Sequence, residues 1–207
     1  MDAGAPKILC ILGSPRRHGN SEQLLDACVS GITDSGVLVD RLAVVEHAIE
    51  PCVGCGGCGG FALSGACVIQ DDMSEIYPRI DAAAAIVVAS PVYFATVPAS
   101  LKALYDRCQP YWERRHARVS SEAIAGVPMR RKGALLLVGA GGDPFGFDAA
   151  IATTRSVFAN LEIDYTEEIL AEGPDQAGDI LRYPEILRSA VEVGRRLAKA
   201  VHRQQGL

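Results

Sequence analysis

Four cysteines lie close together in one glycine-rich stretch of the chain, which reads PCVGCGGCGGFALSGAC. They are Cys52, Cys55, Cys58 and Cys67, and the first three follow the spacing C-x2-C-x2-C. This spacing allows four sulfurs to converge on one point, and the intervening glycines let the backbone wrap it because glycine tolerates positive φ angles. Four converging thiolates are the usual ligands of an iron–sulfur cluster, and they also satisfy tetrahedral zinc. The motif therefore points first to electron transfer, with structural zinc as the alternative.

The composition indicates a folded protein of the reducing cytoplasm. The chain has 207 residues, of which 49% are hydrophobic and 22% charged, with a formal net charge of −5. Basic residues form no long block, so we expect no nucleic-acid partner. The apolar runs are too short for a membrane span and the N-terminus lacks a secretory pattern, so we expect a cytoplasmic protein without a membrane partner. Seven cysteines in such a chain favour metal binding over a disulfide framework.

Strand and helix patterns alternate along the whole chain. Buried-strand patterns occur at 7–12, 37–44, 83–89, 134–138 and 162–170, and helical patterns at 21–34, 73–80, 98–108, 147–160 and 183–202. Ser21 is the expected N-cap of the first helix, and the polar segment 109–131 is expected to be a long excursion. The alternation predicts a single α/β domain over 1–207, with a doubly wound five-stranded parallel sheet covered by helices on both faces. The cysteines fall in a loop at about 50–68.

Ligands of such sheets bind beyond the carboxyl ends of the strands, which directs attention to three loops. The first loop, residues 13–21 (GSPRRHGNS), leaves a strand and enters a helix, where free N–H groups and the helix dipole favour an anion. Ser14, Asn20 and Ser21 add neutral donors and Arg16 a charged one, which predicts a phosphate monoester. The loop lacks both the Gly-Lys-Ser/Thr ending of a P-loop and a G-x-G-x-x-G pattern.

The second loop, residues 90–98 (SPVYFATVP), combines two prolines with adjacent aromatic side chains. Tyr93 and Phe94 offer flat apolar surface on which a planar aromatic ligand could rest, although they could equally cover the end of the sheet. The third loop, residues 139–143 (GAGGD), permits a close approach of its backbone to a ligand.

Taken in order, GSPRRHGNS, PCVGCGGC and SPVYFATVPASLKALYDR resemble the flavodoxin-like NAD(P)H-dependent FMN reductases, and in particular their iron–sulfur flavoprotein branch. The resemblance is strongest over residues 7–107. It implies a flavodoxin-like fold and FMN as cofactor. It assigns the FMN phosphate to Ser14, Arg16, Asn20 and Ser21. It assigns the isoalloxazine to Pro91, Val92, Tyr93 and Phe94, with Gly141 and Gly142 near its pyrimidine side. It assigns a [4Fe–4S] cluster to Cys52, Cys55, Cys58 and Cys67.

The resemblance predicts an FMN-dependent oxidoreductase that passes electrons between FMN and a [4Fe–4S] cluster. NAD(P)H is the possible electron donor, and a ferredoxin or another redox partner, or a small-molecule acceptor, takes the electrons. The resemblance also implies a homodimer or homotetramer. Eight residues separate Cys58 from Cys67, a longer gap than the family usually has, so two alternatives stay open. One is an NAD(P)H-dependent FMN or quinone reductase without a cluster. The other is a non-enzymatic module with structural zinc.

Overall fold

A five-stranded parallel sheet forms the centre of the protein in the computed structural model, which describes residues 5–61, 67–120, 131–204 and 206, without the side chains of 60, 61 and 118–120. The spatial order of the strands is β2-β1-β3-β4-β5, and every neighbouring pair is parallel. This is the strand order of flavodoxin-like folds, so the predicted fold class is confirmed. The strands are β1 (Lys7–Leu12), β2 (Leu38–Ala43), β3 (Ala85–Pro91), β4 (Arg131–Gly139) and β5 (Ile163–Glu172).

Helices cover both faces of the sheet. The helices are α1 (Asn20–Asp34), α2 (Gly57–Phe61), α3 (Met73–Ala82), α4 (Ala99–Asp106), α5 (Gln109–Ser120), α6 (Asp148–Asn160) and α7 (Pro184–Gln204), with 3-10 turns at Val44–Glu46 and Asp179–Arg182. One hydrophobic core lies between the sheet and the pair α1 and α7, and the other lies between the sheet and α3, α4, α5 and α6. Within the described ranges, no helix combines the length and the apolarity that crossing a bilayer requires.

Strand β1, which has a neighbouring strand on each side, contributes side chains to both cores. Ile8 and Cys10 point into the core beneath α1 and α7, whereas Leu9 and Ile11 point into the opposite core. Because both faces of β1 are covered, its sequence KILCIL is a continuous apolar run rather than an alternating one. Cys10 and, on α1, Cys28 are fully buried, so both serve as small core residues.

Helices α1 and α7 cross with their backbones in direct contact. A Cβ atom added to Gly31 would lie 2.0 Å from the carbonyl oxygen of Val191, and one added to Gly194 would lie 2.1 Å from that of Cys28. These separations are far below van der Waals contact, so only glycine fits at either position. The face of α7 that carries Gly194, Ala190 and Ala198 packs against α1 within the same chain.

Three sequence predictions need correction. The segment predicted as an excursion contains helix α5. This helix packs against the sheet through Tyr111, which is buried in the core, and the guanidinium of Arg114 covers the Tyr111 ring at 4.3 Å. Residues 121–130 of that segment lie outside the described residues. Helix α1 begins at Asn20, so Gly19 is its N-cap and Ser21 lies in its first turn. Strand β4 extends over Arg131–Gly139 and is therefore longer than the apolar run 134–138.

Candidate functional site

A cavity of about 210 Å³ lies at the carboxyl ends of the strands, where the chain reverses its direction of winding between β1 and β3. The cavity brings together seven of the ten residues that the resemblance assigns to the flavin: Ser14, Arg16, Asn20, Ser21, Pro91, Val92 and Tyr93. The first and second loops therefore converge on one site. Phe94, Gly141 and Gly142 lie outside its lining, and their contact with a ligand stays a prediction.

The first loop presents an uncapped helix end to this cavity. Gly19 is the N-cap of α1, and no side chain caps the helix, so its first N–H groups remain available to a ligand. The side chains of Ser14 and Ser21 are buried beside them, with residue exposures of 4% and 2%. The backbone N–H of Arg16 donates to Oγ of Ser14 at 3.2 Å, which fixes the turn. This arrangement suits an anion such as a phosphate group.

Asn20 ties the first loop to a distant part of the chain. Its Nδ2 donates to the carbonyl oxygen of Gln176 at 2.9 Å, and its Oδ1 accepts from the N–H of Ile180 at 3.2 Å. Both polar atoms of the amide are therefore engaged in holding the segment after β5 against the start of α1. In this structure Asn20 shapes the cavity through that segment rather than by offering a free donor to it.

The sequence interpretation missed this segment, residues 173–178, which forms a further wall of the cavity. Pro174, Asp175 and Ala177 line the site, and the N–H of Gly173 donates to the carbonyl oxygen of Gly139 at 2.8 Å. The sequence does contain a signal for this wall, because a Gly-Pro-Asp turn directly follows β5. The carboxyl end of β5 reaches the same edge of the sheet as the carboxyl ends of β1 and β3.

The second loop holds its aromatic residues in a strained turn. Tyr93 and Thr96 bond each other's backbone, with N–H to carbonyl distances of 2.8 and 3.2 Å. Between them Phe94 and Ala95 have φ angles of 49° and 64°, a left-handed conformation that costs a non-glycine residue about 1–2 kcal/mol. The turn leaves the Phe94 side chain 98% exposed. Strain that holds a large apolar side chain in solvent is typical of a ligand-binding loop.

The third loop turns away from the cavity beyond its first two residues. Gly139 and Ala140 line the site, whereas Gly141 and Gly142 follow with φ angles of 89° and 80°. Both angles lie in the left-handed region, so glycine is required there for the course of the backbone. Glu172, at the end of β5, packs against Gly141, since a Cβ on this glycine would lie 3.1 Å from its Oε1.

The cysteine loop, defined as residues 52–67, lies between β2 and α3 and includes the short helix α2. Its residues 62–66 lie outside the described residues. Cys52 and Cys55 are exposed, Cys67 is partly buried and Cys58 is 8% exposed. The thiols thus differ in environment, and none of the four forms a disulfide.

Gly57 lets the end of the cysteine loop fold back on its start. A Cβ at Gly57 would lie 2.8 Å from Cγ1 of Val68 and 3.4 Å from the sulfur of Cys55. Val68 follows Cys67 directly, so the close approach brings the fourth cysteine back to the first part of the motif. The residue that follows Cys67 therefore lies close to Gly57, beside Cys55, despite the long gap between Cys58 and Cys67.

The pKa of Cys58 is influenced by two other cysteines of the loop. Burial raises the pKa of the Cys58 thiol, partly offset by a backbone hydrogen bond, and the charges of Cys67 and Cys52 raise it further. Within the described part of the chain, no three His, Cys, Asp or Glu side chains are gathered closely enough to hold a metal ion. The donor set fits an iron–sulfur cluster in type and neighbourhood, and the thiols are near one another without converging.

A buried ion pair closes the base of the cysteine loop. The guanidinium of Arg107 donates to both carboxylate oxygens of Asp71, at 2.5 and 3.0 Å, and the two side chains are 1% and 5% exposed. Burial would raise the pKa of Asp71, but hydrogen bonds from Arg107 and from the N–H groups of Glu50 and Met73 lower it overall. The carboxylate is thus held charged in the folded protein.

We expect this pair to make the protein sensitive to acid. Because folding lowers the pKa of Asp71, its contribution to stability is complete above the ordinary value of about 4 and is lost as the pH falls through the lower folded value. Asp71→Asn leaves Arg107 uncompensated and should cost about 3 kcal/mol at pH 7. Melting temperatures measured at pH 7 and pH 3 should show that the difference between variant and wild type shrinks in acid. A difference that stays constant across this range would contradict the assignment.

The sheet order and the position of the cavity are those of flavodoxin-like FMN-binding domains. Residues 6–171 match the NADPH-dependent FMN reductase family, and the chain belongs to this family. An iron–sulfur flavoprotein of Archaeoglobus fulgidus is 39% identical over 108 residues, which are 52% of this chain and 48% of that protein. An iron–sulfur flavoprotein of Methanosarcina thermophila is 42% identical over 101 residues, which are 49% and 51% of the two chains.

The chain spans about half the length of these curated relatives. Among solved structures, a flavone reductase superimposes with a TM-score of 0.68 at 18% identity, covering 96% of this chain and 64% of that one. At this identity the similarity concerns the fold alone. The resemblance drawn from the sequence is confirmed at the level of the NADPH-dependent FMN reductase family. The similarity to the two iron–sulfur flavoproteins extends over about half of each chain.

Proposed function

We propose that the protein is an FMN-dependent oxidoreductase that passes electrons between FMN and a [4Fe–4S] cluster bound by Cys52, Cys55, Cys58 and Cys67. The observation that carries the proposal is the convergence of an uncapped helix N-terminus and an aromatic loop on one cavity at the switch point of a flavodoxin-like sheet. A phosphate group and a planar ring fit these two walls, and FMN contains both.

Different residues of the cavity bind the phosphate group and the isoalloxazine ring of FMN. The N–H groups of the first turn of α1, with Ser14, Ser21 and Arg16, bind the phosphate group. Tyr93 and Val92 face the isoalloxazine, and Phe94 extends the apolar surface beyond the cavity. Bound FMN accepts a hydride or two electrons and releases electrons singly, so the protein itself needs no acid or base for the redox step.

The cluster is the finer part of the proposal. Support comes from four thiols in one loop, from the return of Val68 to Gly57 beside Cys55, and from relatives whose names carry the term iron–sulfur flavoprotein. Backbone N–H groups around the sulfurs and the exposure of Cys52 and Cys55 would set its reduction potential.

We further propose NAD(P)H as an electron donor and a ferredoxin-like redox protein or a small molecule as acceptor. Phe94 and Phe145, which are 98% and 68% exposed, lie in the loops after β3 and β4. Their exposure supports a homodimer or homotetramer in which a second subunit covers this edge of the sheet.

A second candidate is an NAD(P)H-dependent FMN or quinone reductase that carries no cluster. One observation favours it: the thiols of the described residues do not converge into a metal-holding group. The flavin site is identical in the two proposals, so they differ only in whether the cysteine loop takes up iron.

Anaerobic purification followed by assays of FMN, iron, acid-labile sulfide and zinc tests these proposals together. The cluster proposal predicts FMN with iron and sulfide in equal amounts, and an EPR signal on reduction. FMN without iron would establish the second candidate instead. Stoichiometric zinc in a protein that refuses FMN would contradict both and would support a structural zinc module.

Cys67→Ala should remove the cluster and leave FMN in place. With three thiolates left, iron content should fall about 10- to 100-fold under chelator, while the flavin absorbance stays at the wild-type level. Cys10→Ala is the matched control, because it removes a buried thiol from β1 outside the cysteine loop. Equal iron in Cys67→Ala and Cys10→Ala would exclude Cys67 as a ligand.

A further inference from the structure

Arg107 joins the two ends of the cysteine loop. Besides its paired bonds to Asp71, Nη1 of Arg107 donates to the carbonyl oxygen of Glu50 at 2.8 Å and Nη2 to that of Ile69 at 3.4 Å. Glu50 precedes the first cysteine of the motif and Ile69 follows the last one. A single buried guanidinium therefore contacts the chain immediately before and after the loop, and sets the distance between its ends.

Asp71 and Asp72 also bind the backbone that precedes the cysteine loop. The N–H of Glu50 donates to Oδ2 of Asp71 at 2.8 Å, and the N–H of Ala48 donates to Oδ2 of Asp72 at 2.8 Å. The N–H of Asp72 in turn donates to the carbonyl oxygen of Ala48 at 3.2 Å. The base of the loop is thus held by hydrogen bonds that involve none of the cysteines.

The same arginine ends the helix that starts from the flavin cavity. Arg107 is the C-cap of α4, and Pro98 of the second loop is its N-cap. Near its start α4 packs against the first loop, since a Cβ on Gly13 would lie 2.5 Å from Cδ2 of Leu101. Helix α4 is about 12 Å long, and at its far end Tyr77 donates to the carbonyl oxygen of Arg107 at 2.7 Å. One short helix therefore connects the flavin loops to the base of the cysteine loop.

The charge of Arg107 is secure in this environment. Burial alone would lower the pKa of its guanidinium, but the hydrogen bond to Asp71 and the nearby negative groups, Cys67 among them, raise it above its usual range. Its bidentate geometry matches a carboxylate in a way that the point charge of a lysine does not. The contact with Asp71 therefore depends on both the positive charge and the planar shape of the Arg107 guanidinium.

We propose that Arg107 is a positioning residue that, together with Asp71, fixes the cysteine loop to the end of α4 and so presents its thiols for cluster capture at a set place relative to the flavin. This inference rests on the proposed function. It assigns to Arg107 no contact with either cofactor, and it predicts that weakening the clamp loosens the cysteine loop while the flavin cavity stays intact.

Three variants test this assignment: Arg107→Met, Arg107→Lys and the control Arg79→Met. Arg79 also forms a bidentate pair, donating to Asp40 at 3.1 and 2.7 Å, but it joins α3 to β2 away from the cysteine loop. In anaerobically loaded protein, Arg107→Met should retain FMN as the control does and lose iron to a chelator about 10- to 100-fold faster. Arg107→Lys keeps the charge without the paired bonds, so it should fold and show an intermediate rate.

Amide hydrogen exchange of residues 50–61 in iron-free, FMN-loaded protein gives a readout that needs no cluster. Exchange should be faster in both Arg107 variants than in Arg79→Met. If the wild-type protein takes up no iron but this acceleration is seen, the cluster proposal fails and the positioning role stands. Exchange in both Arg107 variants equal to that of Arg79→Met would overturn the positioning role, whether or not the wild type binds iron. Loss of FMN in parallel with iron from Arg107→Lys would likewise overturn it.

Discussion

Replacing Ser21 by aspartate should weaken FMN binding about 100-fold or more, equivalent to about 3 kcal/mol. Ser21 lies in the first turn of α1, is 2% exposed and lines the cavity beside the uncapped helix end. A carboxylate there would occupy the N–H groups that the phosphate needs and would repel its charge. The same carboxylate interacts favourably with the helix dipole, so the apoprotein should melt at the wild-type temperature or above it.

The combination of weaker binding with unchanged folding separates a site effect from general damage. Ser30→Asp is the matched control, because it places the same charge on the same helix at an exposed position far from the cavity. Fluorescence titration should give it the wild-type dissociation constant for FMN. Wild-type affinity in Ser21→Asp would mean that the flavin phosphate lies elsewhere.

Gly194→Ala should produce the largest loss of stability, about 3 kcal/mol or more. The added methyl group would lie 2.1 Å from the carbonyl oxygen of Cys28 and 3.0 Å from the N–H nitrogen of Ile32. Both are backbone atoms of α1, so no side-chain rotation relieves the overlap and the helices must separate. Alanine gains about 1 kcal/mol in helix propensity, which is too little to offset this cost. For a chain of this length the melting temperature should fall by about 6–12 °C.

Lys199→Ala provides the comparison for this change. It lies on the exposed side of α7, five residues further along, and introduces alanine without adding an atom toward α1. Its melting temperature should stay within about 2 °C of the wild type. Equal melting temperatures for Gly194→Ala and Lys199→Ala would show that α1 and α7 are not in backbone contact.

Much of the fold was predictable because the strands inside the sheet consist mainly of apolar residues, which indicates that they are buried. The unbroken apolar runs of β1 and β3 indicated strands covered on both faces, and the structure buries them in this way. Helix α5 escaped prediction because its apolar signal is small. The guanidinium of Arg114, in this polar segment, covers the ring of the buried Tyr111. Patterns of hydrophobicity do not register packing of this kind.

The candidate flavin site was predictable where the sequence motif and the fold agree. It was less predictable where contacts between distant parts of the chain determine the geometry. Ser14, Ser21 and Tyr93 follow strands whose ends must meet, so their convergence followed from the topology. The engagement of Asn20 with Gln176 joins positions far apart in the sequence, and no local pattern announces it. The left-handed conformations of Phe94 and Ala95 were likewise hidden, since neither is glycine or asparagine.

The cysteine loop illustrates a different limit. Its spacing identified the donors, but the clamp that holds its base depends on Asp71 and on Arg107 at the end of a later helix. Asp71 lies just before α3, where a carboxylate commonly caps a helix. The structure does give it a hydrogen bond from the N–H of Met73, yet its main partner is the buried guanidinium. Sequence spacing alone does not reveal a pair formed across 36 residues.

We propose that the first loop binds the phosphate of FMN at the uncapped end of α1. Comparative titration of the apoprotein with FMN and with riboflavin, which lacks the phosphate, tests it most directly. We expect tight, stoichiometric quenching of FMN fluorescence and binding of riboflavin weaker by about 100-fold, which corresponds to about 3 kcal/mol. Equal affinity for the two flavins, or no binding of FMN, would contradict it.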